Sequence, residues 1–433
     1  MDKFVIEGGT PLKGVVEVRG AKNAALPILF ASLLTDARCV IRNVPYLQDV
    51  SLTLQILAEL GMRCDQGFDR SIRVELQNPN CYVAPYEYVS QMRASICTLG
   101  PLIARRKKAK VSMPGGCQLG VRPVDLHLKG LAALGAQIRI NHGYIEAEAN
   151  ELKGATIYLG GPFGSTVLGT ANVMMAATLA KGTTVIEAAA CEPEIADLAR
   201  FLNSMGARIS GAGTPRLLIE GVRELHGAEH TIIPDRIEAG TFLIAGAITR
   251  GDVVVKGAPI EYLTAVTDTL QQVGLHIWGE GDSIHLTTNG IFQPVDVTTL
   301  PYPGFPTDLQ AQMMALLSLA DGISVITEKI YPDRFIHISE LARMGAKIRK
   351  EGPSAIISGV RRLSGAPVMA SDLRASACLV LAGLVASGVT EVNRISYLDR
   401  GYERIEERLV ALGASISRER AKVPVPAEEM VYS

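Results

Sequence analysis

Apolar positions along this chain fall into six copies of one pattern. Each copy closes on a phrase in which an amphipathic run ends at a glycine: LAELGMRC, LAALGAQI, LNSMGARI, LQQVGLHI, LARMGAKI and LVALGASI. The glycines are Gly61, Gly135, Gly206, Gly274, Gly345 and Gly413, at intervals of 74, 71, 68, 71 and 68 residues, too regular a period for chance. A glycine there can take the left-handed position that ends a helix, and a strand follows. Earlier in each copy comes a helix apolar on almost every side: NAALPILFASLL, ASICTLGPLIA, ANVMMAATLA, AGTFLIAGAI, LQAQMMALLSLA and ASACLVLAGLVAS. Such a helix has no face for water and must be surrounded by protein, whereas GYERIEERLVALG keeps a polar face and lies outside.

Short β-branched runs such as CVIRNV, TTVIEAA and DVVVKGA follow the buried helices. Each unit therefore reads as strand, buried helix, strand, amphipathic helix, strand. The fold class is α/β with unusually buried helices. A period near 70 exceeds the roughly 20 to 50 residues of common solenoids, so six units predict closed lobes of three rather than an open array. HGAEHTIIPDRIEAG, residues 226–240, is the expected hinge.

Polar residues collect where the buried helices start: Lys22 and Asn23, Arg93 and Ser95, Thr170 and Asn172, Arg236 and Glu238, Thr307 and Asp308, Asp372 and Arg374. Asn, Thr and Asp there are ordinary helix caps, which covers about half of these residues. Capping does not account for the cations, which oppose the helix dipole in four of the six units. An anionic ligand shared between helix end and cation removes the conflict, which points to a polyanionic substrate. Arg122, Arg334 and Arg400 form a second cationic set at or before the amphipathic helices; for Arg400 a solvated network with Glu403, Glu406 and Glu407 is the alternative.

Composition narrows the partners. The 433 residues carry a net charge of -1, so no overall field draws nucleic acid or membrane. The longest apolar run, CLVLAGLVA, is too short to span a bilayer, and the start MDKFVIEGG is no secretory signal, so a cytoplasmic protein is expected. Seven cysteines without a CxxC or Cys/His pattern argue for reduced thiols and against structural zinc. Cys117 differs from the rest because it stands in MPGGCQLGVRP, a glycine- and proline-rich loop with Arg122 close by. A neighbouring cation lowers a thiol's pKa, making Cys117 a candidate acid or nucleophile, while Cys97 and Cys378 read as small apolar residues.

GGTPLKGVVEVRGAKNAALPIL, MRASI, PGGCQLGVRPVDLH, EPEIADLARFL, IPDRIEAGTFL, FPTDLQAQ, DRFIH, SDLRASA and DRGYERIEERL occur in this order along nearly the whole chain. In these motifs the sequence resembles the enolpyruvyl transferases, and within them the members that act on a sugar nucleotide. The resemblance implies two inside-out α/β barrel lobes of three repeats each, with residues 22–233 forming the first, 1–21 and 234–433 the second, and the active site between them. It implies transfer of the enolpyruvyl group of phosphoenolpyruvate to the 3-hydroxyl of UDP-N-acetylglucosamine, without metal, organic cofactor or obligatory protein partner. Lys22, Arg122 and Arg400 would grip phosphoenolpyruvate, Asn23 the tetrahedral adduct, with Arg93, Arg334, Asp372 and Arg374 supporting the site. Asp308 would take the hydroxyl proton, and Cys117 would deliver one to the methylene carbon and be the target of the epoxide fosfomycin. Arg122, Pro123, Val124, Asp125 and Leu126 would hold the uridine diphosphate with Ile330. One segment departs from the family: GGPFGSTVLGTANVMMAA stands where a shorter SVGAT-like stretch with a preceding lysine is usual, and Thr166 and Val167 take the neighbouring nucleotide positions. The rival readings are transfer to shikimate 3-phosphate and a non-catalytic repeat protein that binds UDP-sugars.

Overall fold

The computed structural model describes residues 2–113 and 124–420; Cys117, Arg122 and Pro123 lie outside the described residues. Six four-stranded sheets share one plan, in which an edge strand runs parallel to its neighbour and two antiparallel strands follow. In the second unit, for example, Val83–Ala84 lies parallel to Lys108–Ser112, which pairs with Tyr144–Glu148, which pairs with Gln137–Asn141. Each unit thus holds one strand more than its hydrophobic pattern predicts. The extra strand returns after a tight turn as the second arm of a hairpin, and its half-polar alternation, as in YIEAE, is hard to tell from loop.

The six repeat glycines all have positive φ, from 78° at Gly61 to 106° at Gly274, so the phrases that define the repeat end their helices as expected. The helices Lys22–Ala31, Leu99–Arg106, Val167–Ala177, Arg236–Ile248, Gln310–Leu317 and Leu373–Val385 form the interior. Every residue of Arg236–Ile248 is buried, and it packs against both Gln310–Leu317 and Leu373–Val385. Helices lie inside and sheets outside, so the lobes are inside-out barrels.

Apolar side chains gather in two separate cores. One runs from Ala21 to Ile232; the other joins Phe4, Ile6, Leu12, Val16 and Val18 to residues between Ile237 and Ile416. The chain passes between them twice, side by side. Gly20 bridges Pro234, the Ala21 amide donates to the Ile233 carbonyl at 2.7 Å, and the Asp235 amide to the Arg19 carbonyl at 2.8 Å. A Cβ on Gly20 would stand 1.8 Å from the Asn43 carbonyl oxygen, so no other residue fits this crossing. The N-terminal strand Asp2–Glu7 completes the sixth sheet between Val389–Asn393 and Ser415–Arg420, while Glu229–Thr231 closes the first sheet against Cys39–Arg42.

Candidate active site

Lys22 opens its helix at the crossing, its backbone amide 3.3 Å from Asp235 Oδ2. Its Nζ lies 2.6 Å from Asp49 Oδ2, and the other Asp49 oxygen accepts from Arg400 Nε at 2.9 Å. Lys22 and Asp49 belong to the first core's elements and Arg400 to the second's, so one carboxylate joins cations from opposite sides. Burial pushes the Asp49 carboxyl up, but Lys22 and Arg400 outweigh it and hold the group ionised. Asn23, beside Lys22, is exposed. Next to this bridge Glu403 accepts both terminal nitrogens of Arg70 at 2.7 Å and the Tyr46 amide at 2.9 Å. The network with Glu403, Glu406 and Glu407 envisaged for Arg400 does not form. Those carboxylates pair with Arg70, Arg418 and Arg404, leaving Arg400 to Asp49.

A second cluster surrounds Asp308. Its two oxygens accept from Arg334 and Arg374, each at 2.9 Å. Burial would raise this carboxyl, but Arg374 and Arg334 together hold it far below the usual carboxylate range. Asp372 caps the last buried helix through the Arg374 and Ala375 amides at 2.8 and 3.1 Å, which fixes where the Arg374 side chain starts. The other arm of Arg374 donates to the Tyr402 hydroxyl at 3.1 Å, itself bonded to Thr241 at 2.8 Å. Tyr402 follows Arg400 by two residues, so a single segment serves both clusters. His337, buried against Arg334 and Asp372, has its pKa pushed down to about 4, chiefly by burial.

Of the residues expected at a nucleotide, Leu126, Thr166 and Val167 lie around one short hairpin. The backbone of Gly160–Ser165 forms a short hairpin with Phe163 exposed at its tip. A Cβ on Gly161 would come 3.2 Å from Leu126, and one on Gly164 would come 2.6 Å from Pro301. The unusual segment therefore lies between Leu126 and the opposite side's Pro301, just ahead of the buried helix that Thr166 caps through the Gly169 amide at 3.2 Å, with Val167 opening it. Val124 is buried and Asp125 exposed at the start of the helix Asp125–Ala133. The Ile330 amide donates to Glu328 at 2.9 Å, and Glu328 also accepts from Thr307, next to Asp308, at 2.8 Å. Arg93 lies near His127, whose pKa is pushed down to about 3 by burial and by that charge.

Other polar residues at the helix starts are structural. Arg236 is locked to Glu194 at 3.0 Å, and Glu238 takes the Arg19 amide at 2.8 Å. Thr170 and Asn172 are fully buried; Asn172 accepts from the Gly100 amide at 2.6 Å and donates to the Ile96 carbonyl at 3.0 Å. Burial drives Cys97 up to about 12 and raises Cys378 as well, so both are inert thiols. Sequence reasoning passed over Asp49, Tyr402 and Glu328. Asp49 has the signature of an ordinary acid in a helix's first turn, and only its arginine 351 residues away marks it out. Among the described residues, no group of three His, Cys, Asp or Glu side chains could hold a metal ion, and no helix is long and apolar enough to cross a membrane.

Residues 6–409 match the family described as EPSP synthase (3-phosphoshikimate 1-carboxyvinyltransferase). A protein of Methylacidiphilum infernorum named UDP-N-acetylglucosamine 1-carboxyvinyltransferase is 53% identical over 425 residues, covering 98% of this chain and 100% of the relative. UDP-N-acetylglucosamine 1-carboxyvinyltransferase 2 of Carboxydothermus hydrogenoformans is 54% identical, covering 96% of this chain and 99% of its own. Among solved structures, the enolpyruvyl transferase NikO from Streptomyces tendae superposes with a TM-score of 0.87 at 24% identity, covering 97% of this chain and 99% of that one. EPSP synthase from Acinetobacter baumannii superposes with a TM-score of 0.74 at 19% identity, covering 97% and 100%; these two likenesses are of fold.

Proposed function

The chain belongs to the enolpyruvyl transferase family of EPSP synthase, and on that footing we infer that it transfers the enolpyruvyl group of phosphoenolpyruvate to the 3-hydroxyl of UDP-N-acetylglucosamine. Phosphate is released, and the product enters peptidoglycan precursor synthesis. Full-length relatives at 53 and 54% identity carry the sugar-nucleotide name, which favours this acceptor over shikimate 3-phosphate and favours an enzyme over a binding protein. The reaction sits in the cytoplasm, where both substrates are made, and calls for no nucleic acid, membrane or protein partner. Residues 22–233 form one lobe, and 1–21 with 234–433 the other; the two separate cores support this division.

The observation that carries the mechanism is the meeting of Lys22 and Arg400 from opposite sides at Asp49, within one chain segment of Asp308. Lys22, Arg400 and Arg122 hold the phosphate and carboxylate of phosphoenolpyruvate, the task for which lysine and arginine donors suit best. The sugar hydroxyl attacks C2 of phosphoenolpyruvate while Cys117 protonates C3, giving a tetrahedral adduct that Asn23 contacts. The Cys117 thiolate then takes a proton back from that C3 methyl group as the C2 to phosphate bond breaks, which restores the double bond and frees phosphate. Asp308 receives the hydroxyl proton. Two guanidinium groups make Asp308 a weak base, so the proton moves only as the new C–O bond makes the hydroxyl acidic. Arg93, Arg334, Asp372 and Arg374 fix the surroundings, and Arg122 to Leu126, Thr166, Val167 and Ile330 hold the nucleotide.

Phosphate release from phosphoenolpyruvate, measured with UDP-N-acetylglucosamine, with shikimate 3-phosphate and with neither, tests the reading. Release with the sugar nucleotide alone is expected. Release with shikimate 3-phosphate alone overturns the acceptor, and release with none overturns the enzyme. Cys117→Ala should cut turnover on the order of 10²- to 10⁴-fold while both substrates still bind; unchanged turnover removes the thiol from the mechanism.

A further inference from the structure

Among the described residues, Lys22 and Arg400 each keep donors to spare. Asp49 is the sole side-chain acceptor recorded for both among the described residues, and it takes one bond from each, at 2.6 Å from Nζ and 2.9 Å from Nε. The two terminal nitrogens of Arg400 have no acceptor among the described residues, although its side chain is only 25% exposed. Asp49 itself is 3% exposed, in the first turn of Gln48–Glu59, where the helix dipole also favours its charge. A buried carboxylate that takes the side-facing Nε of an arginine leaves the planar end of the guanidinium free for a second anion. A buried carboxylate between two cations from different cores also cancels the repulsion that would otherwise drive them apart.

We propose that Asp49 is a positioning residue for enolpyruvyl transfer: it draws Lys22 and Arg400 together across the cleft and turns the unused donors of both toward the phosphate of phosphoenolpyruvate. This rests on the reading that those two cations touch phosphoenolpyruvate. The triad carries a net charge of one plus, so it still attracts a phosphate, and Glu403, which accepts the Tyr46 amide as well as Arg70, ties the Arg400 segment to the residues just before Asp49. Asp49 touches no reacting atom. Its effect is on the geometry in which the transition state's charge is met, the kind of misplacement that reduces rate more than it reduces binding.

Asp49→Asn keeps the shape and removes the charge. With UDP-N-acetylglucosamine saturating, kcat should fall on the order of 10- to 100-fold while KM for phosphoenolpyruvate moves by less than about threefold. The loss should also shrink in an Arg400→Gln background, because a residue that acts through Arg400 has less to do once Arg400 is gone. Should Asp49→Asn fail to fold, Asp49→Glu, which keeps the charge but displaces it, is read by the same split. Unchanged kcat, a raised KM with kcat intact, or an undiminished effect in the Arg400→Gln background each overturns the proposal. The underlying reading fails separately: Lys22→Gln and Arg400→Gln would then leave every phosphoenolpyruvate parameter untouched, whatever Asp49→Asn does.

Discussion

Two clusters in this molecule place one aspartate between two cations, and they are built for different work. Around Asp308 every partner comes from the same core: Arg334, Arg374 and, one bond further, Tyr402 and Thr241. Around Asp49 the partners come from both cores, and Arg400 and Lys22 remain 25 and 12% exposed, against 6% for Arg334 and Arg374. In the first cluster the two arginines are buried in one core while the Asp308 side chain stays 26% exposed, so its geometry does not depend on the other core. The second exists only while the two halves of the molecule face each other, so its geometry reports on their approach. Charge pairs of similar distance thus differ in purpose according to whether one core or two must move to break them.

The comparison breaks first at Asp308. Asp308→Ala leaves Arg334 and Arg374 buried without a counter-charge, and a loss of about 3–5 kcal/mol of folding stability is expected, together with loss of turnover. Denaturant unfolding measures it, and an effect below about 1 kcal/mol would show that the cluster is no more rigid than the bridge. Acid sharpens the contrast next. His337 is buried beside Arg334 and Asp372, and its folded pKa of about 4 lies below the unfolded value of about 6.5. The unfolded chain therefore binds the extra proton as pH falls from about 6.5 toward 4, and stability drops by up to about 1.4 kcal/mol per pH unit from this residue. His337→Gln should flatten that slope in unfolding titrations; an unaltered slope would place the titration elsewhere. The Asp308 carboxyl, depressed in the fold, contributes stability above about pH 4 and loses it below, so its acid loss follows that of His337. The smallest effect belongs to the interface. Glu403→Gln should cost about 1 kcal/mol or less, because Arg70 can turn to water, yet it should raise the rate at which the cleft-facing amides of Tyr46 and its neighbours exchange hydrogen.

Much of this was legible in the chain. Six glycine-ended phrases and six helices without a polar face demanded repeated units with their helices inside, and the structure has both. Lys22 and Arg374 could be found because a cation at the start of a buried helix opposes the helix dipole, whereas Asp308, which reads as an ordinary cap, stands out only through the FPTDLQAQ motif. The same dipole rule drew in Arg236, which satisfies itself with Glu194 42 residues earlier. No local pattern separates the two cases, since both are a cation at a helix start and only the distant carboxylate differs. Asp49 was hidden for the converse reason: an acid in a first turn is ordinary, and its meaning comes from a residue near the other end of the chain. The hairpin strands were missed because half-exposed alternation on a solvent-facing sheet is a weak signal.

The N-terminal strand Asp2–Glu7 lies between Val389–Asn393 and Ser415–Arg420. On the ribosome this strand is made long before either of its neighbours. One half of the molecule, carrying Lys22 and Asp49, can be finished while the other still lacks the sheet that its opening residues must complete. Arg400 arrives between those two late strands, so the cation that closes the bridge is delivered in the same stretch of synthesis that seals the barrel. A nascent chain therefore cannot form the bridge of Lys22, Asp49 and Arg400 until the barrel around Arg400 can close, and that bridge becomes a readout of the barrel's assembly.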